Sequence, residues 1–294
     1  PNDFTIGRLL PITELSRKTK TLMVGLGYQE MIFNYVGSKK DFIDNMCIDG
    51  SKVIEIANPM SENYQFVRPD IISSLLRTES KSASAIFPHK IFEIGKVAYI
   101  CDGENTGTKT TQNIGFLTAA SDANFNSAAS EVSALMYFLD SKYEVSESND
   151  SRFIPGRQAN IIYDGVVVGY LGEIHPEVAD TYGIGDRAYV AVIDMPEIVA
   201  RATFDRKYTG VAKFPAVSRD ISMVCPKEIL VGQIEEVIEK KGGAYLESYH
   251  LFDIYEGAQI AEDKKSMAFS VLFTPKDEAF TTESVDAFVK KILK

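Results

Sequence analysis

Cysteine and histidine are scarce in this chain, with three of each among 294 residues. Cys47, Cys101 and Cys225 stand far apart with no partner at metal-ligand spacing. That fits free thiols in a reducing, cytoplasmic compartment better than a disulfide framework or zinc site. His89, His175 and His250 are equally solitary, so all six are expected in structural roles and no metal site is expected. No apolar run reaches membrane-spanning length and no charged-then-apolar leader opens the chain, so no membrane partner is expected. Basic residues are short too, 31 against 41 acidic, for a net charge of −10. Holding nucleic acid by bulk electrostatics takes many Lys and Arg, so any RNA contact must be local. The chain opens on Pro1 rather than Met, which reads as a segment of a longer protein or a processed one.

Apolar residues make up 45% of the chain, enough to fill real cores, and the length suggests two domains. A linker is expected over 201–212. There Arg201-Ala202-Thr203-Phe204-Asp205-Arg206-Lys207-Tyr208 lacks sustained apolar periodicity and leads to Phe214-Pro215. The acidic excess lies mainly before it, in a domain over 1–200, and the second domain covers 213–294.

The second domain reads element by element. Residues 217–225 alternate as a strand. Leu230, Ile234, Val237 and Ile238 then follow at helical spacing until Gly242-Gly243 stops the helix. Residues 245–255 and 266–274 are rich in aromatic and β-branched positions, with a polar turn between them. A second helix starts near Thr281-Thr282 and carries Val285, Phe288, Val289 and Ile292 on one face. The order β-α-β-β-α is that of a ferredoxin-like module without its last strand. In the third strand Met267, Phe269, Val271 and Phe273 share one face while Ser266, Ala268 and Ser270 share the other, a surface able to accept unpaired bases.

The first 200 residues mix strands and helices. Pro11 to Leu26 reads as an amphipathic helix that passes through Gly25-Leu26-Gly27 into a strand over Tyr28 to Tyr35. That order is wrong for a dinucleotide fingerprint and right for a helix stop. A helix through Ile71, Ile72, Leu75 and Leu76 follows, then strands at Lys90 to Val97 and Ile114 to Ala119. After a helix from Asn126 to Leu139 come a polar loop over Ser146 to Arg152, a hairpin turning at Asp164-Gly165, and a strand over Tyr189 to Asp194. The whole suggests one α+β domain on a largely antiparallel sheet.

Three short runs carry a resemblance: Val217-Ser218-Arg219-Asp220-Ile221, Leu251-Phe252-Asp253-Ile254-Tyr255-Glu256-Gly257 and Lys265-Ser266-Met267-Ala268-Phe269. Together they resemble the ferredoxin-like anticodon-binding module of the bacterial phenylalanyl-tRNA synthetase beta subunit family. Asn58-Pro59, Arg68, Phe92-Glu93-Ile94-Gly95, Pro155-Gly156-Arg157 and Gly172-Glu173-Ile174-His175-Pro176 resemble that family's catalytic-like domain, a degenerate class II synthetase core. Ile154 departs from the His that often precedes Pro-Gly-Arg there, and the family's fourth C-terminal strand is expected to be missing.

The resemblance implies a noncatalytic subunit that assembles with an alpha subunit, two alpha and two beta chains together, and binds the tRNA for phenylalanine. It implies that ATP and magnesium serve the complete enzyme and are not bound by this chain, and that editing and magnesium sites lie in upstream domains. Active class II cores need positive groups where negative charge develops on a phosphoryl group. Superposing the motifs puts Glu93 and Glu197 at two such positions, which predicts an inactive domain. Gly183-Ile184-Gly185-Asp186-Arg187 looks like a phosphate-binding turn but precedes a strand instead of closing one. The RNA-contact candidates are Arg219, Ser266, Lys264, Lys265 and Tyr249, with a structural ion pair or core role as the alternative. The alpha-subunit contact candidates are Pro155, Gly156, Arg157, Glu173 and His175, with turn-shaping as the alternative. A free-standing RNA-binding or interaction module and a self-sufficient class II ligase are the competing functions.

Overall fold

The computed structural model describes residues 7–82, 84–201, 208, 210–257, 259–276 and 278–293. The chain divides into two compact units, Pro1–Asp205 and Arg206–Lys294. Much of the expected linker, residues 202–207 and 209, lies outside the described residues.

The first unit opens with α1 (Pro11–Gly25), three two-residue strands β1 (Gln29–Glu30), β2 (Val36–Gly37) and β3 (Phe66–Val67), and α2 (Ile72–Glu79). It continues through β4 (His89–Ile100), β5 (Thr108–Ala119), α3 (Phe125–Phe138), β6 (Glu144–Glu147), β7 (Phe153–Tyr163) and β8 (Val166–Ile174). The last elements are α4 (Pro176–Tyr182), β9 (Ala188–Asp194) and α5 (Met195–Arg201). Seven strands form one sheet in the order β1-β4-β5-β9-β8-β7-β6. β1 runs parallel to β4 and the other neighbours are antiparallel.

Local chemistry accounts for most boundaries. Pro11 sits in the first turn of α1, where its missing N–H costs nothing, and the helix stops at the glycines as expected. Asn124 caps α3 by accepting from the Ser127 N–H at 3.1 Å. Asp164 and Gly165 both take positive φ, 51° and 72°, the geometry of a two-residue turn whose twist matches the β7–β8 hairpin.

The structure differs from expectation in four places. The strand foreseen over Tyr28 to Tyr35 shrinks to Gln29–Glu30, because the Phe33 N–H turns to the Glu93 carboxylate and the Tyr35 carbonyl accepts from Arg68. Ser146 and Glu147, placed in a polar loop, belong to β6, an edge strand polar enough to hide its alternation. Helices α4 and α5 were not anticipated, since seven residues each are too few to show a helical period.

Both faces of the large sheet are covered. On one, Leu15 and Met23 of α1, Val132, Leu135 and Met136 of α3, and Ile198 of α5 pack against Phe92, Phe116 and Ala191. On the other, Ile72, Leu75 and Leu76 of α2 and Val178 and Tyr182 of α4 pack against Ile91, Leu117 and Val190. Each such fully buried aliphatic or aromatic side chain contributes about 1.5–3 kcal/mol.

Arg68 is buried on this second side with no exposed surface. Its Nη1 donates to both Glu93 carboxylate oxygens at 2.8 and 3.0 Å and to Ser74 Oγ at 3.1 Å, and its Nε donates to the Lys96 carbonyl at 2.8 Å. The guanidinium lies 4.7 Å from the centre of the Tyr35 ring. Gly95 makes the space, because a Cβ there would run into the guanidinium. Burial pushes the Glu93 carboxyl up from its ordinary value, against the pull of Arg68, so desolvation is the larger effect and the pair specifies geometry more than it adds stability.

The second unit contains β10 (Val217–Pro226), α6 (Val231–Gly242), β11 (Leu246–Tyr255), β12 (Lys264–Phe273) and α7 (Thr282–Ile292). The strands form an antiparallel sheet in the order β10-β12-β11, giving the expected ferredoxin-like β-α-β-β-α. Thr281 caps α7 by accepting from the Ser284 N–H. Ile221, Ile238, Met267, Phe269, Val271, Phe273, Val285 and Ile292 form its core.

Two outcomes are expected. Glu93→Ala should lower urea stability by about 3–5 kcal/mol by leaving the Arg68 charge buried and unpaired, while Glu93→Ala combined with Arg68→Met should recover part of the loss. An unchanged urea midpoint in the single variant would refute the pairing. The second concerns His89, whose Nδ1 lies 2.7 Å from Glu79 Oε1 with both side chains buried. Burial pulls its pKa down, but the hydrogen bond and charge of Glu79 prevail and the net direction is upward. Its stabilisation is therefore present below the ordinary histidine value of about 6.5 and is lost as pH rises through the raised value. Stability should fall as pH rises from that ordinary value through the raised one, and His89→Gln should flatten that fall in pH-dependent urea titrations.

Candidate functional site

In the second unit β12 decides which side chains meet solvent. Met267, Phe269, Val271 and Phe273 are buried beneath α6 and α7, so alternation leaves Lys264, Ser266, Ala268, Ser270 and Leu272 on the uncovered face. Residues directly opposite one another share a face. β10 therefore adds Ser218, Asp220, Ser222 and Val224 to it, and β11 adds Ser248 and His250. A register shift between Leu251 and Asp253 then brings Asp253 and Tyr255 opposite Ala268 and Ser266. Phe252 sits at that irregularity, exposed, its ring 6.3 Å from that of His250. The hydroxyls of Ser222 and Ser266 lie 3.1 Å apart. Exposed aromatic rings beside hydroxyls and an exposed Lys264 offer stacking and edge hydrogen bonding to unpaired bases.

The five RNA-contact candidates do not share this face. Ser266 and Lys264 lie on it. Lys265 has the parity of Met267 and stands opposite Cys225, on the helix side at the start of β12. Arg219 stands opposite Val271, also on the helix side, half-buried on an edge strand and donating to the Ser218 carbonyl at 3.0 Å. Tyr249 is opposite Val271 as well and packs on the core, its hydroxyl donating to Glu239 at 2.8 Å. Burial and Glu239 push its pKa up. Strict period-two counting separates Lys265 from Ser266, whereas the exposure of Phe252 and Tyr255 depends on a bulge that no local pattern announces.

The subunit-contact candidates lie in the first unit at an irregularity of β7. Ladder pairing stops at Phe153–Ile174 and resumes at Gln158–Gly172, so residues 154–157 face Glu173 alone on β8. Gly156 turns the strand with φ 76°, and Pro155, Gly156 and Arg157 are exposed. Glu173 is buried, its Oε2 accepting from Arg157 Nη1 at 2.9 Å, with Arg187 Nε 3.8 Å from Oε1. His175 caps α4, its Nδ1 accepting from the Glu177 N–H at 3.2 Å. Arg157, Glu173 and His175 thus come together at one end of the sheet, and Arg187, from the Gly183 to Arg187 turn, joins them.

No phosphate-binding centre is assembled at the positions of interest. Glu93 is taken up by Arg68, and Glu197 forms an ion pair with Arg201 one turn along α5. Gly183 ends α4 in the left-handed region with φ 70°, so the turn after it serves as a helix stop. Among the described residues no group of three His, Cys, Asp or Glu can hold a metal ion, and no helix is long and apolar enough to cross a membrane.

Residues 2–195 match the family model of the phenylalanyl tRNA synthetase beta chain CLM domain, and residues 212–294 match that of the ferredoxin-fold anticodon binding domain. The chain is 48% identical over 195 residues to a phenylalanine–tRNA ligase beta subunit of Treponema pallidum, a stretch covering 66% of this chain and 32% of the relative. It is 47% identical over 184 residues to the Borrelia duttonii beta subunit, 63% of this chain and 33% of the relative. To that of Borreliella burgdorferi it is 43% identical over 202 residues, 69% and 36%. It spans about a third of the length of these curated relatives. The chain belongs to the family of phenylalanyl-tRNA synthetase beta chains.

Proposed function

We propose that this chain is a noncatalytic part of the beta subunit of a phenylalanine–tRNA ligase. Its first domain supports assembly with the alpha subunit into a complex of two alpha and two beta chains in the cytoplasm. Its second domain binds the anticodon region of the tRNA for phenylalanine during ATP-dependent charging. The observation that carries this reading is the succession, in one chain, of a beta-chain CLM domain and an anticodon-binding domain. The uncovered sheet face of the second domain supports it, since stacking rings and hydroxyls suit unpaired bases and need no overall positive charge. ATP and magnesium belong to the alpha subunit in this reading. At Glu93 the residues do not fit a nucleotide phosphate, because the buried Arg68 guanidinium beside it is already paired with that carboxylate.

Within this reading Lys264, Ser266, Phe252 and Tyr255 contact bases or the adjoining backbone, while Arg219 and Lys265 contribute charge from the rim of the sheet. Pro155, Gly156, Arg157, Glu173 and His175 belong to the alpha-facing surface.

Co-expression with a cognate alpha subunit should yield a heterotetramer by light scattering that charges tRNA with phenylalanine, and the chain alone should show no ATP–pyrophosphate exchange. Exchange by the isolated chain would overturn the assignment. In the assembled enzyme, Phe252→Ala and Tyr255→Ala should each weaken tRNA binding by about 1–3 kcal/mol. Lys264→Ala, Lys265→Ala and Arg219→Ala should each flatten its salt dependence by roughly one unit of slope. Tyr249→Phe should leave affinity unchanged, and phenylalanyl-adenylate formation should be intact throughout. Filter binding at two salt concentrations reads these effects, and unaltered affinity in both aromatic variants would remove the open face from the reading.

A further inference from the structure

The irregular stretch of β7, the start of α4 and the turn before β9 enclose a cleft of about 260 Å³ in the first unit. Ile154, Ile174, Ala179 and Ile184 give it an apolar lining. The same cleft is bordered by Arg157 and Arg187, both leaning on Glu173, whose side chain is only 3% exposed while theirs are 47% and 55% exposed. A buried carboxylate is thus neutralised by two guanidinium groups that still face water. Asp180 and Asp186 also border the cleft; among the described residues neither forms a salt bridge, though the charge of Asp186 also acts on the buried His89. Three carboxylates against two guanidinium groups leave the rim with one excess negative charge.

We infer that this cleft is the anchor pocket for the alpha subunit, receiving one aliphatic or aromatic side chain flanked by a Lys or Arg that meets Asp180 and Asp186. The inference rests on the proposed assembly and adds to it a particular pocket and a partner chemistry. Size favours a single side chain, because the volume falls below the ~300–1,000 Å³ of small-molecule sites. Charge favours a cationic neighbour, because rim charges steer encounter and suppress wrong partners. Docking would also remove water from the Arg157–Glu173 pair, and a desolvated, hydrogen-bonded pair beside a filled apolar pocket is the kind of feature on which interface energy concentrates. Gly185 lines the same cleft with open space where its Cβ would be, so a side chain introduced there adds bulk at the cleft without a clash at its Cβ.

The test is the affinity of this chain for a cognate alpha subunit, measured by titration calorimetry at low and moderate salt, with thermal melting as the control for folding. Gly185→Phe should weaken association at least about tenfold with its melting temperature unchanged. Asp180→Lys combined with Asp186→Lys, the first position exposed and the second half-buried, should slow association and reverse its salt dependence. Wild-type assembly accompanied by affinities within about twofold of wild type in both variants would overturn the pocket and leave the proposed function standing. Failure of the wild-type chain to bind any cognate alpha subunit would overturn both.

Discussion

A guanidinium without access to water must find its partners inside the protein, and the way Arg68 does so organises one side of the first unit. Glu93 supplies the carboxylate from β4, Lys96 a carbonyl from the same strand, and Ser74 a hydroxyl from α2, while Tyr35 covers the planar face. The Arg68 backbone is tied in as well, its N–H bonded to the Tyr35 carbonyl and its carbonyl to the Ala98 N–H. The segment after β1, helix α2 and strand β4 therefore share one polar hub beneath an otherwise apolar layer. Gly95 is part of it through the side chain it lacks. The positive charge of Arg68 is taken up inside the protein by Glu93.

The two sheets are built for different ends. The seven-stranded sheet is covered by helices on both faces, so its available surface lies at strand ends and irregularities, above all where β7 departs from its ladder opposite Glu173. The three-stranded sheet is covered on one face only, and its other face holds small hydroxyl-bearing side chains with rings at one end. An acidic chain can still read RNA on such a face, because stacking and edge hydrogen bonds act over a few ångströms and do not depend on the sign of the whole molecule. The same acidity suits a cleft that seeks a cationic partner.

Much of this was legible beforehand. Periodicity placed α3, α6, α7, β4 and β12 close to their observed bounds and found the second half of β5, and the Asp164-Gly165 turn announced its hairpin. The motifs led to both surfaces. What escaped were elements too short or too polar for a pattern, such as α4, α5 and β6, and side chains whose placement depends on distant partners. Arg219 and Tyr249 belong to the helix side of their sheet because Val271 lies opposite each of them, a fact of register between strands distant in sequence. Phe252 and Tyr255 were visible as a motif, but their exposure follows from a bulge in β11.

The sequence by itself determined the fold class, the succession of two domains, and the family, because alternation, helical spacing and turn chemistry are local and motifs are linear. Only the tertiary structure decided which buried carboxylate is held by a buried guanidinium and which by exposed ones. Glu93 and Glu173 read alike in the chain, yet one is closed against a buried Arg68 while the other is held by two arginines at the edge of a cleft. That difference comes from the burial of the arginines and from the positions of side chains brought together across the sheet, and neither quantity exists until the chain has folded.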